Sequence, residues 1–348
     1  DCSSRGLGDV YKRQIKDVKN YSSKKNEENF EKLRITSEPG WIELFRRLNS
    51  TSNGTYRLVR LRERIRSLND KDLKAFDSGL LKLFKYWFNP SFLVLEKIDW
   101  ETPANILEKI IEYEAVHEIN SWNDLRARLA PTDRQCFAFF HPLIPNDPLI
   151  FVEVALTVGI PGSIENIIKL EREEIDIENT NTAIFYSISN CHNGLLGISF
   201  GNFLIKKVAK KLKREMPDLN QFLTLSPLPG FMKWMEEYAP ITFERCSEKN
   251  CSDEELTKKA IKYLTESDRK DGMPNDPVGR FHIGNGASLE RINLNADLSE
   301  KGLSQSYGVM ANYLYDLDIV EENHEIFFKN KIVPVSSEIK SLKKTYKF

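Results

Sequence analysis

The feature that most constrains the fold is a short strand followed by a glycine-rich loop and a basic amphipathic helix. Residues Thr182–Ile188 have the β-branched and aromatic composition of a buried strand, and Asn202–Glu215 carries apolar residues at helical spacing. Between them lie Gly194, Gly197 and Gly201, which allow tight turns and leave backbone N–H groups uncovered in front of a helix N-terminus. The segment predicts a phosphate cradle in a mixed α/β layer, and a set of tight turns is the alternative.

The spacing of these glycines restricts the chemistry. It reads G-x-x-G-x-x-x-G, which matches neither the G-x-G-x-x-G of dinucleotide-binding folds nor the G-x-x-x-x-G-K-[ST] of P-loops. Dinucleotide redox chemistry and nucleotide hydrolysis are therefore disfavoured.

Charge and hydropathy exclude two classes of partner. Fifty Lys and Arg residues against 51 Asp and Glu residues give a formal net charge of −1, so no global field draws the chain to nucleic acid or an anionic membrane. The longest apolar run, from Pro148 to Leu156, is interrupted by Glu153 and is far shorter than the ~20 residues of a membrane span. We expect neither a nucleic-acid partner nor a membrane partner.

The chain divides into a helical first part and a mixed second part. Leu73, Leu80 and Trp87 belong to an apolar face with helical spacing, and Asn89-Pro90 ends it. The arginine-rich helical segment Gly54–Asn69 presents either a solvated face or an anion-binding face. Beyond residue 90, strands alternate with helices; the predicted strands are Phe92–Ile98, Cys136–Phe140, Leu149–Thr157, Thr182–Ile188 and Phe222–Leu225. The second and third of these strands are predicted to pair as a hairpin.

The N-terminal segment is predicted to lie outside the folded domains. Residues 1–14 show no helical or strand periodicity and resemble translated sequencing adapter, so we expect them to lie outside the natural protein. Residues 15–36 are rich in Lys, Glu, Asn and Ser and predict a tail. The predicted organisation is a disordered tail over 1–36, a helical domain over 37–90 and a catalytic domain over 91–348.

The five cysteines are widely spaced, with no C-x-x-C pair and no cysteine–histidine cluster at zinc spacing. This pattern predicts buried or surface thiols in a reducing compartment, with the cytoplasm as the default location, and no metal site.

Two further motifs hold candidate chemical groups. Ser226 follows a predicted strand and precedes a rigid Pro-Leu-Pro-Gly turn, where its hydroxyl can donate to a carboxylate, although a serine that only turns the chain is the alternative. His282 lies in a strand-like run before an Asn-Gly turn and can exchange a proton near neutral pH, although a histidine bonded within the core is the alternative.

Taken together, these motifs resemble the malonyl-CoA decarboxylase family. The resemblance spans roughly residues 90–316 in the family's order, and the segments that carry it are Thr182–Ser189, Gly201–Lys207, Leu225–Phe231, Phe281–Ala287 and Met310–Tyr315. It implies an α+β fold in which an N-terminal all-helical domain precedes a GCN5-related N-acetyltransferase (GNAT)-like catalytic domain with a central mixed β-sheet.

The resemblance also implies roles for individual residues. It makes Ser226 and His282 the catalytic pair and puts Tyr315 in the active site. The loop that it implies for CoA binding consists of Leu196, Gly197, Ile198, Ser199, Phe200, Gly201 and Asn202. The family usually carries a glutamate where this chain has Ser199, and the stretch from Trp234 to Arg280 is shorter than in longer members.

The implied reaction is decarboxylation of malonyl-CoA to acetyl-CoA and CO2. Ser226 would hold the carboxylate, backbone N–H groups would stabilise the thioester enolate, and His282 would protonate it. The thioester is itself the electron sink, so no cofactor is expected. An acyl-CoA-dependent N-acyltransferase and a catalytically inactive CoA-binding regulator are the alternatives. A homo-oligomer is expected.

Overall fold

The computed structural model describes residues 2–248 and 250–346, without the side chains of residues 2–11 and Asn202. It divides into two compact units. The first unit contains the chain up to Asn89 together with His192–Ile198. The second contains Pro90–Cys191 and the chain from Ser199 onward.

The first unit is helical. Its helices are α1 (Cys2–Ser23), α2 (Glu27–Ser37), α3 (Gly40–Asn49), α4 (Gly54–Leu68) and α5 (Lys74–Trp87). The predicted apolar face of α5 is buried at Leu80, Leu83 and Phe84. The two helices α1 and α2 occupy residues where the sequence predicted a disordered tail; α2 begins with an Asn26 side chain that accepts the N–H of Asn29, a local N-cap that composition alone does not reveal.

One arginine of α4 differs from its neighbours. Arg62 is fully buried, whereas the other four arginines of the helix are exposed, as a solvated face requires. The Nη1 of Arg62 donates to the carbonyls of Gly194 (2.7 Å) and Leu196 (2.9 Å), and its Nε donates to the Asp77 carboxylate. This guanidinium therefore binds segment 192–198 into the first unit.

The second unit contains both helices and a β-sheet. Its helices are α6 (Ala104–Tyr113), α7 (Trp122–Leu129), α8 (Glu165–Ile168), α9 (Phe200–Glu215), α10 (Phe231–Tyr238), α11 (Pro240–Ser247), α12 (Asp253–Thr265), α13 (Pro277–Gly284), α14 (Glu300–Ser306), α15 (Val320–Asn330) and α16 (Ser337–Tyr346). Its strands are β1 (Val94–Ile98), β2 (Arg134–Phe140), β3 (Ile150–Thr157), β4 (Thr182–Asn190), β5 (Gln221–Thr224), β6 (Ser226–Pro227), β7 (Ser288–Asn293) and β8 (Met310–Leu314).

Within the described residues these strands form one mixed sheet in the order β1-β2-β3-β4-β5-β8-β6, with β7 paired to β8. The pair β4–β5 is parallel and the other pairs are antiparallel. The predicted hairpin of β2 and β3 is confirmed. The class of fold is confirmed as well, since the N-terminal part of the chain is helical and a mixed sheet follows later in the sequence. A parallel pair needs a crossover, and α9 supplies it between β4 and β5.

Two local predictions were wrong. His282 lies on helix α13, because Asp276 caps the N–H of Gly279 and Pro277 occupies the first turn, whereas a short apolar run alone cannot separate strand from helix. Cys246 and Cys251 form a disulfide where the sequence predicted thiols, and their Cα atoms lie 4.6 Å apart, within the range that a disulfide spans.

Candidate active site

Ser226 is held at the start of a very short strand. It pairs with Ala311 of β8 and is 5% exposed. Its Oγ donates to Oγ1 of Thr224 at 2.9 Å and lies 3.1 Å from Nε2 of His282. Thr224 is fixed in turn, because its backbone carbonyl accepts the side-chain amide of Asn312 and its Oγ1 accepts the N–H of Tyr313.

His282 is enclosed by aromatic side chains. Its ring stacks on Tyr313, with centroids 4.8 Å apart, and its Nδ1 lies 2.9 Å from the hydroxyl of Tyr315. Tyr315 follows β8 and is anchored by its backbone N–H, which donates to the carbonyl of Phe222. His282 is 2% exposed, and this burial lowers the pKa of its imidazole to about 3. The imidazole is therefore neutral at neutral pH.

The hydrogen bonds form a directed chain. If the Ser226 hydroxyl donates to Thr224, its oxygen accepts from Nε2 of His282, and the neutral ring then carries its proton on Nε2. Nδ1 is left as the acceptor of the Tyr315 hydroxyl. Burial raises the pKa of Tyr315, so that hydroxyl keeps its proton. This tautomer presents an N–H beside the serine.

The glycine-rich loop belongs to both units. Leu196, Gly197 and Ile198 lie in the first unit, where Gly197 has the positive φ of 93° that favours glycine. Leu196 is exposed, and its carbonyl is one of the two that Arg62 binds.

The remaining loop residues lie in the second unit, at the start of α9. Ser199 occupies the N-cap position of this helix, and its side chain makes no capping hydrogen bond. Phe200 is buried. Gly201 packs against the ring of Phe281, next to His282 in the chain, so a Cβ at position 201 would overlap that ring. The side chain of Asn202 lies outside the described residues.

The structure thus brings together Ser226, His282 and Tyr315, which the sequence had singled out. Sequence reasoning missed Thr224 and Tyr313. Their signal was the two-residue period of a strand: Thr224 is two residues before Ser226, and Tyr313 is two before Tyr315, so each pair shares a face.

Two features are absent from the described residues, a metal-binding cluster and a membrane-spanning helix. No three His, Cys, Asp or Glu side chains in this part of the chain are grouped as a metal site would require. Across the same residues, no helix has both the length and the apolarity needed to cross a membrane.

Family models match nearly the whole chain. The model of the malonyl-CoA decarboxylase N-terminal domain matches residues 11–88, and that of the malonyl-CoA decarboxylase C-terminal domain matches residues 91–252 and 239–347. The mitochondrial malonyl-CoA decarboxylase of Anser anser anser is 33% identical over 359 residues, covering 89% of this chain and 71% of the relative. The mitochondrial malonyl-CoA decarboxylase of Rattus norvegicus is also 33% identical, covering 90% and 73%.

Solved structures of malonyl-CoA decarboxylases are also similar to this chain. The malonyl-CoA decarboxylase of Agrobacterium vitis superposes with a TM-score of 0.90 at 45% identity, covering 96% of this chain and 87% of that one. The malonyl-CoA decarboxylase of Rhodopseudomonas palustris superposes with a TM-score of 0.88 at 43% identity, covering 95% and 86%.

Proposed function

Since this chain belongs to the malonyl-CoA decarboxylase family and is a carboxy-lyase, we propose that Ser226 and His282 carry its decarboxylation of malonyl-CoA. The observation that supports this most directly is the 3.1 Å contact between the Ser226 hydroxyl and Nε2 of His282 in a buried, aromatic-walled site.

The reaction breaks the bond between the carboxylate carbon and C2 of the malonyl group. The electron pair of that bond moves into the thioester carbonyl and gives an enolate, CO2 leaves, and C2 then takes a proton. Because the thioester accepts the electron pair, we propose that neither a metal nor an organic cofactor takes part.

We assign binding of the malonyl carboxylate to Ser226. Its hydroxyl is held by Thr224 and His282 at fixed distances, and turning from Thr224 to the substrate lets it donate to a carboxylate oxygen. A single donor aligned in this way holds the carboxylate out of the plane of the carbonyl, which is the geometry in which the breaking bond overlaps the thioester π system.

We assign the protonation of C2 to His282. Nε2–H of the neutral ring is the donor to C2, and the hydroxyl of Tyr315 bonds to Nδ1, where it supports the ring as the proton leaves. A thioester enolate is a far stronger base than the imidazole anion, so a neutral imidazole is acidic enough for this step. Proton transfer of this kind contributes roughly 10²–10⁴ in rate.

We assign the CoA moiety to Leu196–Asn202, the loop and the first turn of α9. Support comes from the helix N-terminus, where the Ser199 side chain makes no capping hydrogen bond, because the first N–H groups of a helix and its dipole favour a phosphate. Backbone N–H groups are likewise assigned to the enolate oxygen.

The test uses the full chain with malonyl-CoA in D2O, with acetyl-CoA followed by mass and CO2 by trapping. The wild type should give both products together, with one deuterium in the methyl group. Ser226→Ala and His282→Ala should each lower kcat/KM by roughly 10²–10³.

Ser341→Ala, on the exposed face of α16, is the matched control and should leave the rate unchanged. Loss of less than tenfold in either site variant would remove that residue from its proposed role. Consumption of malonyl-CoA only when an amine is added would instead identify an acyltransferase.

A further inference from the structure

Helix α13, which carries His282, begins at a buried carboxylate. Asp276 is the N-cap residue of α13 and is fully buried. Its Oδ2 accepts the backbone N–H of Gly279 at 2.6 Å, and its Oδ1 accepts the hydroxyl of Tyr263 on α12 at 3.1 Å. Each carboxylate oxygen therefore has a donor of its own, one from the first turn of α13 and one from α12.

The first turn of α13 is linked to the imidazole in two ways. Helix α13 is eight residues long, so His282 lies within two turns of the cap. Gly279, which the cap binds, also faces Tyr313, since a Cβ at position 279 would lie 3.1 Å from the Tyr313 hydroxyl. The Tyr313 ring stacks on the ring of His282. A displacement of the first turn therefore reaches the imidazole along the helix and through this aromatic contact.

A helix this short depends on the contacts at its ends. Arg280 holds the chain that enters α13, because its Nη1 donates to the carbonyls of Pro274 (2.9 Å) and Asn275 (2.8 Å). At the far end, His324 donates from Nδ1 to the carbonyl of Gly284 at 2.6 Å. Arg280 and His324 are both half-buried. The cap carboxylate is fully buried, so solvent screens its charge least.

We propose that Asp276 is a positioning residue, whose carboxylate fixes the first turn of α13 and thereby sets the imidazole of His282 at its distance from the Ser226 hydroxyl. This inference rests on the proton-donor role proposed above for His282. Asp276 acts through the helix, so a weaker cap should lower kcat by misplacing the proton donor, with a smaller change in KM.

The charge of the cap changes within an accessible pH range. Burial raises the pKa of Asp276 to about 6, although the N–H of Gly279 and the hydroxyl of Tyr263 stabilise the anion. Protonation puts a hydrogen on one of the two oxygens that now accept a donor. It also removes the charge, and a charged acceptor binds roughly twice as strongly as a neutral one. The cap is therefore weakened as the pH falls below about 6.

Other charged or titratable side chains lie around the cap. They are Tyr263 of α12, Tyr313 of β8, Arg280 of α13, the exposed Asp268 in the loop before α13 and His324 of α15. Burial raises the pKa of both tyrosines, so they stay neutral, and an arginine stays protonated. Burial lowers the pKa of His282 to about 3, so this ring stays neutral near pH 6. Variants of Asp268 and His324 test these two residues directly.

The test measures kcat and KM for acetyl-CoA formation by the full chain from pH 5 to pH 8. The wild type should lose kcat as the pH falls, with a midpoint near pH 6. Asp276→Asn keeps an oxygen that can accept the N–H of Gly279 but carries no charge. Its kcat at pH 7.5 should be lower than that of the wild type by roughly tenfold or more, and it should show no further loss down to pH 5.

Tyr263→Phe changes the carboxylate without replacing it. The ring remains packed on Phe231 and Trp234, and only the hydroxyl that stabilises the anion is removed. The midpoint should move to higher pH, because the charged form loses a hydrogen bond. A tyrosine with only a structural role would lower the rate and leave the midpoint in place.

Three control variants should keep the midpoint of the wild type. Tyr86→Phe removes an exposed hydroxyl of α5 and matches Tyr263→Phe. Asp268→Asn makes the same chemical change as Asp276→Asn at an exposed carboxylate. His324→Gln removes the titrating ring at the other end of α13. A midpoint that moves in Asp268→Asn or His324→Gln would assign the transition to that residue and overturn the proposal.

The outcomes separate this proposal from the one on which it rests. If His282→Ala retains kcat, the proton-donor role fails. If His282→Ala loses kcat but Asp276→Asn keeps the transition near pH 6, or Tyr263→Phe leaves its midpoint unmoved, the positioning role alone is overturned. Urea unfolding at pH 7.5 checks that each variant is folded. If Asp276→Asn is not folded, the midpoint of Tyr263→Phe decides the question by itself.

Discussion

The protonation of His282 can be tested through protein stability, apart from catalysis. The ring is buried among aromatic side chains, and burial lowers its pKa from 6.5 to about 3. In the unfolded chain the same histidine regains an ordinary pKa near ~6.5. Folded and unfolded chains therefore differ in bound protons over the interval between these two values.

The sign of the effect follows from this difference. Below pH 6.5 the unfolded chain takes up a proton at this position and the folded chain does not, so stability is lost as the pH falls from 6.5 towards 3. One pKa unit corresponds to about 1.4 kcal/mol. At pH 4.5, two units below the unfolded value, His282 should have reduced the free energy of unfolding by about 3 kcal/mol relative to pH 7.5.

The perturbation is His282→Gln, which keeps a polar side chain but does not titrate. Urea unfolding at pH 7.5 and at pH 4.5 gives the free-energy loss of each protein over this interval. The wild type should lose about 3 kcal/mol more than the variant. His117 and other titrating groups are present in both proteins, so their contributions cancel in the comparison.

Ser226→Ala is the control, because it removes the hydrogen-bond partner of the ring but leaves the histidine in place. It should lose as much stability as the wild type. An NMR titration of the His282 ring gives an independent reading, with no protonation expected above pH 4.5. Equal losses in His282→Gln and the wild type, or a midpoint near pH 6.5, would refute the burial argument and the neutral proton donor derived from it.

Three further predictions follow from single contacts. Tyr315→Phe removes the hydroxyl that bonds Nδ1 of His282, so kcat in the malonyl-CoA assay should fall roughly tenfold or more with little change in KM; an unchanged kcat would mean that the hydroxyl does not position the ring. Arg62→Ala leaves two carbonyls and a carboxylate without their buried donor and should cost about 3 kcal/mol in urea unfolding, whereas Arg66→Ala breaks an exposed 3.6 Å ion pair and should cost about 0–1 kcal/mol. Gly286→Ala places a Cβ against the backbone carbonyl of Val320 at a φ of 90° and should strongly lower the melting temperature. Gly159→Ala, at a φ of 70° with open space around it, should lower the free energy of unfolding by only about 1 kcal/mol. Similar losses of stability in both variants would contradict the steric argument.

Local patterns in the sequence determined much of this protein. The β2–β3 hairpin, the strand at Thr182 and the helix after the glycine loop are encoded by apolar periodicity and turn residues within short windows. Ser226 and His282 were recognisable because their motifs follow one another in the order of a known family. Such features need no knowledge of where distant segments meet.

Local sequence patterns predicted the wrong secondary structure where a capping side chain decides between a strand and a helix. The run around His282 is apolar and short, so it fits a strand as well as a helix. The cap from Asp276 to the N–H of Gly279 resolves it, together with the proline that follows the cap. At the N-terminus, helices α1 and α2 formed from a polar composition that predicts disorder.

The geometry of the candidate active site is decided by tertiary structure. Ser226 and His282 are 56 residues apart, His282 and Tyr315 are 33 apart, and only the folded sheet with α13 against it sets their contacts. The depressed pKa of His282 comes from burial, which is a property of the whole core. The sequence names the groups that can react, since composition and order are local; the fold sets their distances and protonation, since both depend on neighbours that are remote in the chain.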